Sequence, residues 1–324
     1  MSTKEEYSIR QLTKEDLHLL PPLMKACFDM DVDENYFKWK FYDNPAGEVI
    51  GFCAFHNETN ELAAFYSVNP IIYYFENREN LFYRTGDSMT NPKHRRKGLW
   101  KKLMLQCNLE LTQEGKLPSV SVGGSETARG RLENGWKKAF EMRDYFIPSS
   151  LSFLYRSYST KNIEKIDDIS KINHLLSVKY FNKIHAKKTE ETYKWRTSNP
   201  RFTYHTIAYK TENKYSAFLS FYFEDDKIYI FDFYYKNRKQ FRKLLSYIFV
   251  TNRDKDFKAI IMLYVKTKSL YSKKLVRAGF LYNPFSFGPL SGKKPYVVYT
   301  KEEVFEKYLD KSKWIIAAFD HDAT

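Results

Sequence analysis

The chain has 324 residues, 43% of them hydrophobic and 18% aromatic, so it is long enough for two domains of ordinary size. Its formal net charge of +14 favours phosphate-bearing partners. We find no Cys/His finger or aromatic RNA-binding strand and no run of roughly 18 apolar residues, so we expect no nucleic-acid and no membrane partner. The polar N-terminus and the 3 cysteines, which lack metal-like spacing, predict a cytoplasmic protein without a bound metal.

The sequence of the first half predicts strands and helices in the order β, α, α, β, β, β, α, β, α, β. Thr13 and Asp16 resemble a capping box at the start of the first helix, and Gly135 is placed to end the last one. The predicted elements are a strand at 7–12, a helix from 13 to about 28, a helix at 36–42, strands at 48–56, 62–74 and 83–90, a helix from 99, a strand at 119–124, a helix at 125–134 and one or two strands within 137–148.

The connection between the strand at 83–90 and the helix from 99 is the most informative stretch. The strand breaks at Asn91-Pro92, because proline has no N–H to give to a sheet. A basic loop, Lys93 to Lys97, and Gly98 then lead into a helix with an apolar face. The first N–H groups of a helix lack intrahelical partners and carry partial positive charge, so this position favours a phosphate. A solvated basic turn before an ordinary surface helix is the alternative.

The order of residues favours the phosphate site. The run Thr90-x-Pro92-x-x-Arg95-x-x-Gly98-x-Trp100 resembles the acyl-CoA pyrophosphate signature of the GNAT superfamily of N-acyltransferases, Arg/Gln-x-x-Gly-x-Gly/Ala. It departs at Trp100, where the usual residue is small. The resemblance implies acetyl-CoA or another short acyl-CoA as co-substrate, with no metal. The cofactor-binding residues that it implies are Ser88, Met89, Thr90, Arg95, Arg96, Lys97, Gly98, Leu99, Trp100, Gly124 and Ser125.

The second half repeats landmarks of the first half in the same order, which predicts a duplication. The repeated pairs are Phe37-Lys38-Trp39-Lys40 with Tyr193-Lys194-Trp195-Arg196, Asn44-Pro45 with Asn199-Pro200, Asp87 with Asp232, Trp100-Lys101-Lys102-Leu103 with Phe241-Arg242-Lys243-Leu244, and Gly135-Trp136 with Gly279-Phe280. The second copy lacks counterparts of Arg95 and Gly98, so we expect one acyl-CoA site per chain.

The resemblance and the repeat together imply an α/β (α+β) fold of two tandem GNAT-like domains, each a mixed central sheet flanked by helices. In that fold two neighbouring strands splay apart, and the pantetheine arm of the cofactor enters the gap. We expect an N-terminal domain with the acyl-CoA site at 1–150, a connector at 151–175 and a degenerate C-terminal domain at 176–324, which would form one wall of the acceptor cleft.

Few side chains are needed for the chemistry that the resemblance implies. A backbone N–H at Ser88, Met89 or Thr90 would meet the oxyanion, although all three also suit an ordinary strand. Asp87 is the first candidate for the general base, and a structural aspartate paired with an arginine is an equal alternative. Glu126 is the second candidate, and a favourable charge in the first turn of a helix is its alternative.

The acceptor is predicted from the resemblance together with the composition. The resemblance, the basic charge and the aromatic content favour an N-acyltransferase that moves an acetyl or short hydroxyacyl group to a dTDP- or UDP-linked amino sugar, by direct attack of the amine on the thioester. Another small amine, such as an aminoglycoside or a peptide, is an alternative acceptor. A non-catalytic acyl-CoA-binding regulator is the alternative function, and a homodimer is one option for the assembly.

Overall fold

The structure is a computed structural model that describes residues 5–285 and 287–321. The elements of the first half are β1 (Tyr7–Gln11), α1 (Leu20–Phe28), α2 (Glu34–Phe41), β2 (Ile50–His56), β3 (Leu62–Phe75), β4 (Arg78–Thr90), α3 (Leu99–Gln113), β5 (Ser119–Val122), α4 (Ser125–Leu132) and β6 (Lys137–Pro148). Those of the second half are β7 (Ile163–Lys165), α5 (Asn173–Leu176), β8 (His185–Ala186), α6 (Glu190–Thr197), β9 (Tyr204–Thr211), β10 (Lys214–Glu224), β11 (Lys227–Tyr235), α7 (Arg238–Thr251), β12 (Ala259–Lys266), α8 (Leu270–Ala278), β13 (Lys294–Tyr299) and α9 (Phe305–Leu309). Short 3-10 helices occupy Lys14–Leu19, Pro92–His94, Ser149–Tyr155, Ile169–Ile172, Glu302–Val304 and Ala318–Asp320.

The strand and helix around the basic loop form as predicted, and α3 begins at Leu99. The preceding strand is longer than predicted, because the turn before it contains only Glu76 and Asn77, both with positive φ, and β4 starts at Arg78. The first predicted helix is divided into a 3-10 turn at Lys14–Leu19 and α1. Prolines in the first turn of α1 explain the division, since they cannot donate hydrogen bonds to the preceding turn.

One mixed sheet of 13 strands runs through the described residues, in the order β1-β2-β3-β4-β5-β13-β6-β12-β11-β10-β9-β7, with β8 paired to β3. The pairs β4–β5 and β11–β12 are parallel, and the other pairs along this order are antiparallel. The predicted mixed α/β architecture is therefore confirmed.

The two halves exchange their last strands. β13, from the end of the chain, pairs with β5 of the first half, and β6 pairs with β12 of the second half. β13 and β6 then pair with each other at the centre of the sheet. The boundaries at 150 and 175 remain predictions, but the sheet of residues 1–150 is completed by a strand from outside this range.

Both parallel pairs open after a short contact. β4 and β5 pair only at Tyr83–Ser119 and Arg84–Val120, whereas β11 and β12 pair over four positions that end at Ile230–Met262. A β-bulge interrupts the antiparallel partner at the same place in each half, between Tyr66 and Val68 of β3 and between Ser220 and Phe221 of β10. Each half therefore contains a gap between two diverging strands.

Helix α3 is fixed against the sheet by the apolar face that the sequence predicts. Leu99, Leu103, Met104, Cys107 and Leu111 are buried in one cluster with residues of β2, β3 and β4. Burial of this face removes apolar surface from water and holds the start of the helix at the end of β4. The loop between β4 and α3 is thus presented from a rigid support.

Candidate active site

The loop between β4 and α3 is anchored at its first turn. The side chain of Asn91 accepts a hydrogen bond from the Lys93 N–H at 3.1 Å and donates one to Glu61 at 2.9 Å. His94 is buried, with its Nδ1 3.0 Å from the Tyr7 hydroxyl and its Nε2 3.5 Å from Glu61. His94 therefore ties the loop to β1 and to Glu61, the residue that precedes β3.

At the start of α3, no capping side chain accepts a hydrogen bond from the backbone N–H groups. Gly98 is the N-cap with a φ of +74°, and it provides no side-chain cap. Arg96 also has a positive φ, +63°. A Cβ atom at Gly98 would meet nothing within 4 Å, so backbone conformation rather than space favours glycine here. The first N–H groups of this 15-residue helix are open to an anion.

Arg95, Arg96 and Lys97 differ in the contacts that their side chains make. The Nε of Arg95 donates to the Thr90 carbonyl at 3.3 Å, which leaves its terminal nitrogens available. Lys97 forms an ion pair with Glu6 at 3.0 Å. Arg96 is exposed and forms no ion pair with any residue that the structure describes. Arg95 and Arg96 are therefore better placed than Lys97 to add charge to the helix start.

The gap between β4 and β5 begins after Arg84 and follows β4 to its end at Thr90, where this loop starts. The Thr85 hydroxyl donates to the Ser121 hydroxyl at 2.7 Å, just beyond the last paired residues. On its other edge β4 stays paired to β3 through Ser88, Met89 and Thr90. Alternate backbone groups of this diverging segment are consequently not paired with β5.

Trp100 spans the entrance of this gap. Its indole Nε1 donates to the Ser88 hydroxyl of β4 at 3.3 Å. The far edge of the ring lies against Gly130 of α4, where a Cβ atom would be 2.7 Å from Cζ3. Because α4 follows β5, the indole connects the two sides of the gap. The departure from the GNAT signature at Trp100 thus has a structural counterpart, a glycine on the facing helix.

Arg131 is buried next to this indole. Only 3% of Arg131 is exposed, and its guanidinium carbon lies 5.6 Å from the centre of the Trp100 ring, 5.9 Å from Tyr66 and 5.7 Å from Trp136. It forms no ion pair within the described ranges. Aromatic faces stabilise a cation but do not neutralise it, so the inner wall of the gap carries a positive charge.

Asp87 is held by a lysine that the sequence did not single out. The Nζ of Lys40, from α2, lies 2.8 Å from Asp87 Oδ2 and 3.1 Å from the Tyr36 hydroxyl. The Lys40 side chain is 3% exposed and that of Asp87 is 16% exposed. A buried ammonium at this distance stabilises the negative charge of the Asp87 carboxylate. One partner of Asp87 is therefore a lysine, which the sequence analysis did not consider.

The remaining candidates lie at the start of α4. Gly124 is the exposed N-cap of this helix, and Glu126 is exposed in its first turn. Ser125 begins the helix, but its side chain lies outside the described part of the chain. The structure brings Ser88, Trp100 and α4 together, whereas Glu126 faces solvent.

The corresponding helix start of the second half is closed by its own side chains. Asn237 Oδ1 accepts the Gln240 N–H at 3.0 Å, and Gln240 Oε1 accepts the Lys236 N–H at 3.0 Å. This capping box occupies donors that are open at α3. Asp232, the counterpart of Asp87, is 1% exposed and pairs with Lys188 at 2.5 Å.

Two features are absent from the sequence analysis, Lys40 and a large cleft in the second half, and the burial of Arg131 was not expected. Lys40 and Arg131 read as exposed helix charges, because nothing local marks a charged residue as buried. One signal was present. A tryptophan at the small position of the signature requires a facing residue without a side chain, and Gly130 is the one glycine in the sequence of α4.

No protein-family profile matches the chain. No curated protein matches it either. Solved structures do match. A conserved Enterococcus faecalis V583 protein of unknown function, described as a probable N-acyltransferase, aligns with a TM-score of 0.66 and 12% identity over 91% of this chain and 72% of its own. A GCN5-related N-acetyltransferase from Anabaena variabilis aligns with a TM-score of 0.62 and 12% identity over 90% of this chain and 72% of its own. The chain has the GNAT fold.

A third GNAT-fold neighbour has a known ligand. Saccharomyces cerevisiae N-myristoyltransferase, solved with bound myristoyl-CoA, aligns with a TM-score of 0.64 and 12% identity over 92% of this chain and 80% of its own. Over the described ranges, no group of three or more His, Cys, Asp or Glu side chains is arranged to hold a metal ion. In the same ranges, every helix is too short or too polar to cross a membrane.

Proposed function

We propose that the protein is an acyl-CoA-dependent N-acyltransferase that binds the CoA pyrophosphate at the start of α3. The observation that carries this proposal is the contrast between the two helix starts. Gly98 leaves the first amides of α3 without a side-chain cap beside Arg95 and Arg96, whereas Asn237 caps α7. Open helix amides with adjacent cations favour a diphosphate. The GNAT fold supports a thioester donor for this site.

The proposed reaction is the transfer of an acyl group from the acyl-CoA thioester to an amine. The amine nitrogen of the acceptor attacks the thioester carbonyl carbon, the new C–N bond forms, the C–S bond breaks and CoA leaves as the thiol. A backbone N–H among Ser88, Met89 and Thr90 is the candidate donor to the oxyanion, since these residues lie on the segment of β4 that is not paired with β5. The pantetheine arm would enter where the Trp100 indole now bridges Ser88 and Gly130, so we expect the indole to move on binding.

Two groups remain candidates for accepting the amine proton. Asp87 lies on the segment of β4 that diverges from β5, but its ion pair with Lys40 favours the charged carboxylate. Glu126 is exposed at the start of α4. An amine that arrives already neutral needs neither group, and the proton is then lost to water.

The proposed acceptor is a nucleotide-linked amino sugar, either dTDP- or UDP-linked, and the transferred group is an acetyl or a short hydroxyacyl group. The net charge of +14 and the 26 tyrosines and 26 phenylalanines suit a ligand that carries both a diphosphate and a base. A second candidate is a non-catalytic acyl-CoA-binding regulator, which the bridged gap and the paired Asp87 favour.

Thiol release measures the proposed reaction directly. Acetyl-CoA and hydroxybutanoyl-CoA would be offered with nucleotide-linked amino sugars, aminoglycosides and peptides. We expect thiol release with a nucleotide-linked amino sugar. Thiol release with an aminoglycoside or a peptide, and not with a nucleotide-linked amino sugar, would show that the proposed acceptor is wrong. CoA binding without thiol release for any acceptor would favour the non-catalytic acyl-CoA-binding regulator.

A further inference from the structure

A cleft of about 890 Å³ in the second half is not used by the acyl-transfer site. It lies where β11 and β12 diverge, between the end of β11, the end of β12 and the start of α8. It is the counterpart of the gap that Trp100 bridges in the first half. A cleft of this size accommodates a ligand of nucleotide size.

The charge of the cleft is strongly one-sided. Of the described residues that line it, 7 are lysines and none is acidic: Lys179, Lys183, Lys236, Lys266, Lys268, Lys274 and Lys311. None of these lysines forms an ion pair with another described residue. Surface lysines elsewhere on the protein are commonly paired, as Lys187 is with Glu79 at 2.7 Å. The concentration of uncompensated cations in a concave site attracts anions.

Two of the lysines are held in place by backbone carbonyls. Lys266, which is 5% exposed, donates to the carbonyls of Trp314, at 3.1 Å, and of Lys311. Lys183 donates to the Ser312 carbonyl at 3.1 Å. Burial lowers the pKa of Lys266 to about 8, and the charge of Lys183 acts in the same direction, which Asp310 only partly opposes. A carbonyl orients an ammonium without neutralising it, so a bound anion would relieve the repulsion.

Aromatic residues also line the cleft. Tyr234, Tyr235 and Tyr271 line it together with Phe233 and Trp314. The Tyr271 hydroxyl is 3.3 Å from that of Tyr180, which also lines the cleft. Flat rings beside cations suit a ligand that carries both a planar base and phosphates. An inorganic anion would contact the lysines of the cleft but not its aromatic rings.

The cleft cannot bind a pyrophosphate through free helix amides as proposed for α3, because the capping box of α7 occupies the amides at the start of that helix. Its phosphate contacts must therefore come from side chains. A smaller cavity of about 30 Å³ shares Tyr180, Tyr271 and Ile315 with the cleft and reaches Asp320. The Asp320 carbonyl accepts a hydrogen bond from Arg84 of β4 at 3.0 Å. The inner end of the cleft thus points toward the strand that carries the acyl-transfer site.

We propose that this lysine-lined cleft binds a nucleoside diphosphate, with the phosphates on Lys236, Lys266 and Lys274 and the base against the tyrosines of β11 and α8. If the proposed acyltransferase function is correct, on which this part of the inference rests, the nucleotide belongs to the acceptor. The same chemical group also occurs as the ADP part of CoA, so the experiment separates the two sources.

Titration calorimetry with UDP, dTDP and CoA tests the proposal on the full chain. K236E/K274E reverses two charges of the cleft, and K239E, an exposed lysine of α7 outside the cleft, is the matched control. We expect K236E/K274E to weaken UDP or dTDP binding by at least about tenfold, because two charge-assisted contacts are lost, and K239E and R95E/R96E to leave it unchanged. Unchanged thermal melts would show that the variants fold.

Each outcome has a defined meaning. If UDP and dTDP do not bind, or bind equally to K236E/K274E, and CoA binding is also unaffected, the nucleoside diphosphate site is wrong. If two CoA molecules bind per chain and K236E/K274E removes one, the site is correct but the ligand is CoA. If UDP or dTDP binds as predicted and no acyl transfer occurs with any nucleotide-linked sugar, the site stands and the proposed function fails.

Discussion

The indoles of Trp39 and Trp195 donate hydrogen bonds to each other's backbone carbonyls. The Nε1 of Trp39 is 2.7 Å from the Trp195 carbonyl, the Nε1 of Trp195 is 2.8 Å from the Trp39 carbonyl, and the rings stack at 5.5 Å. The two residues occupy equivalent places in the repeated segments. Their reciprocal contact joins α2 to α6, which are 156 residues apart in sequence.

We expect W39A to destabilise the whole protein. The substitution removes a side chain that is 6% exposed and leaves the Trp195 carbonyl without its donor. The free energy of unfolding should fall by about 3–5 kcal/mol, as measured by urea denaturation. F153A, which removes an exposed ring, should change it by no more than about 0.5 kcal/mol. A similarly small effect of W39A would contradict the interpretation of this pair as the joint between the halves.

Gly130 and Trp100 should be energetically coupled. In the W100A background, G130A should stabilise the protein by about 1 kcal/mol, because alanine is the better helix former. With Trp100 present, the added Cβ would lie 2.7 Å from the ring and force it to shift, so the same change should be less favourable or destabilising. Equal effects of G130A in both backgrounds would show that the indole does not pack on α4.

Asp87 can be tested without confusing catalysis with stability. D87N removes the carboxylate charge beside the buried Lys40 ammonium and should lower the free energy of unfolding by about 3–5 kcal/mol. K40M/D87N should recover most of this loss. If Asp87 accepts the amine proton, the folded double variant should remain slow, with a changed pH dependence of kcat. Full activity of K40M/D87N would limit Asp87 to a structural role.

The capping residue Asp16 should contribute to acid stability. Hydrogen bonds from Arg10, at 2.6 and 2.7 Å, lower the pKa of Asp16 to about 2. A lowered folded-state pKa stabilises the protein above the unfolded pKa, and the benefit is lost as the pH falls from about 4 to about 2. Wild type should lose about 2 kcal/mol more than D16N over this range, whereas the exposed control D254N should behave like wild type.

Local signals predicted the strand, loop and helix around Gly98, because proline, glycine and the helical period act within a few residues. The repeated landmarks predicted the tandem architecture. The sequence could not predict that β13 enters between β5 and β6, since strand pairing over more than 100 residues leaves no local pattern. The ends of predicted elements differ by about two residues in several cases, as in α4, which ends at Leu132.

The sequence predicted the backbone elements of the candidate site better than the contacts of its side chains. Gly98 and Arg95 lie where the GNAT signature implies. The ion pairs of Asp87 with Lys40 and of Lys97 with Glu6 were not predictable, because the tertiary fold brings these residues together. Arg131 reads as an exposed charge, yet three aromatic rings enclose it. Its enclosure follows from Trp100, which fills the position that the signature usually leaves to a small residue.

A titration of CoA into the full chain tests the central claim most directly. It would compare wild type with R95E/R96E and with K161E, an exposed lysine remote from the loop in sequence. We predict that CoA binds at the start of α3, that R95E/R96E weakens this binding by at least about tenfold and that K161E leaves it unchanged. Absence of CoA binding, or equal binding by wild type and R95E/R96E, would mean that the segment from Arg95 to Gly98 is only a basic turn.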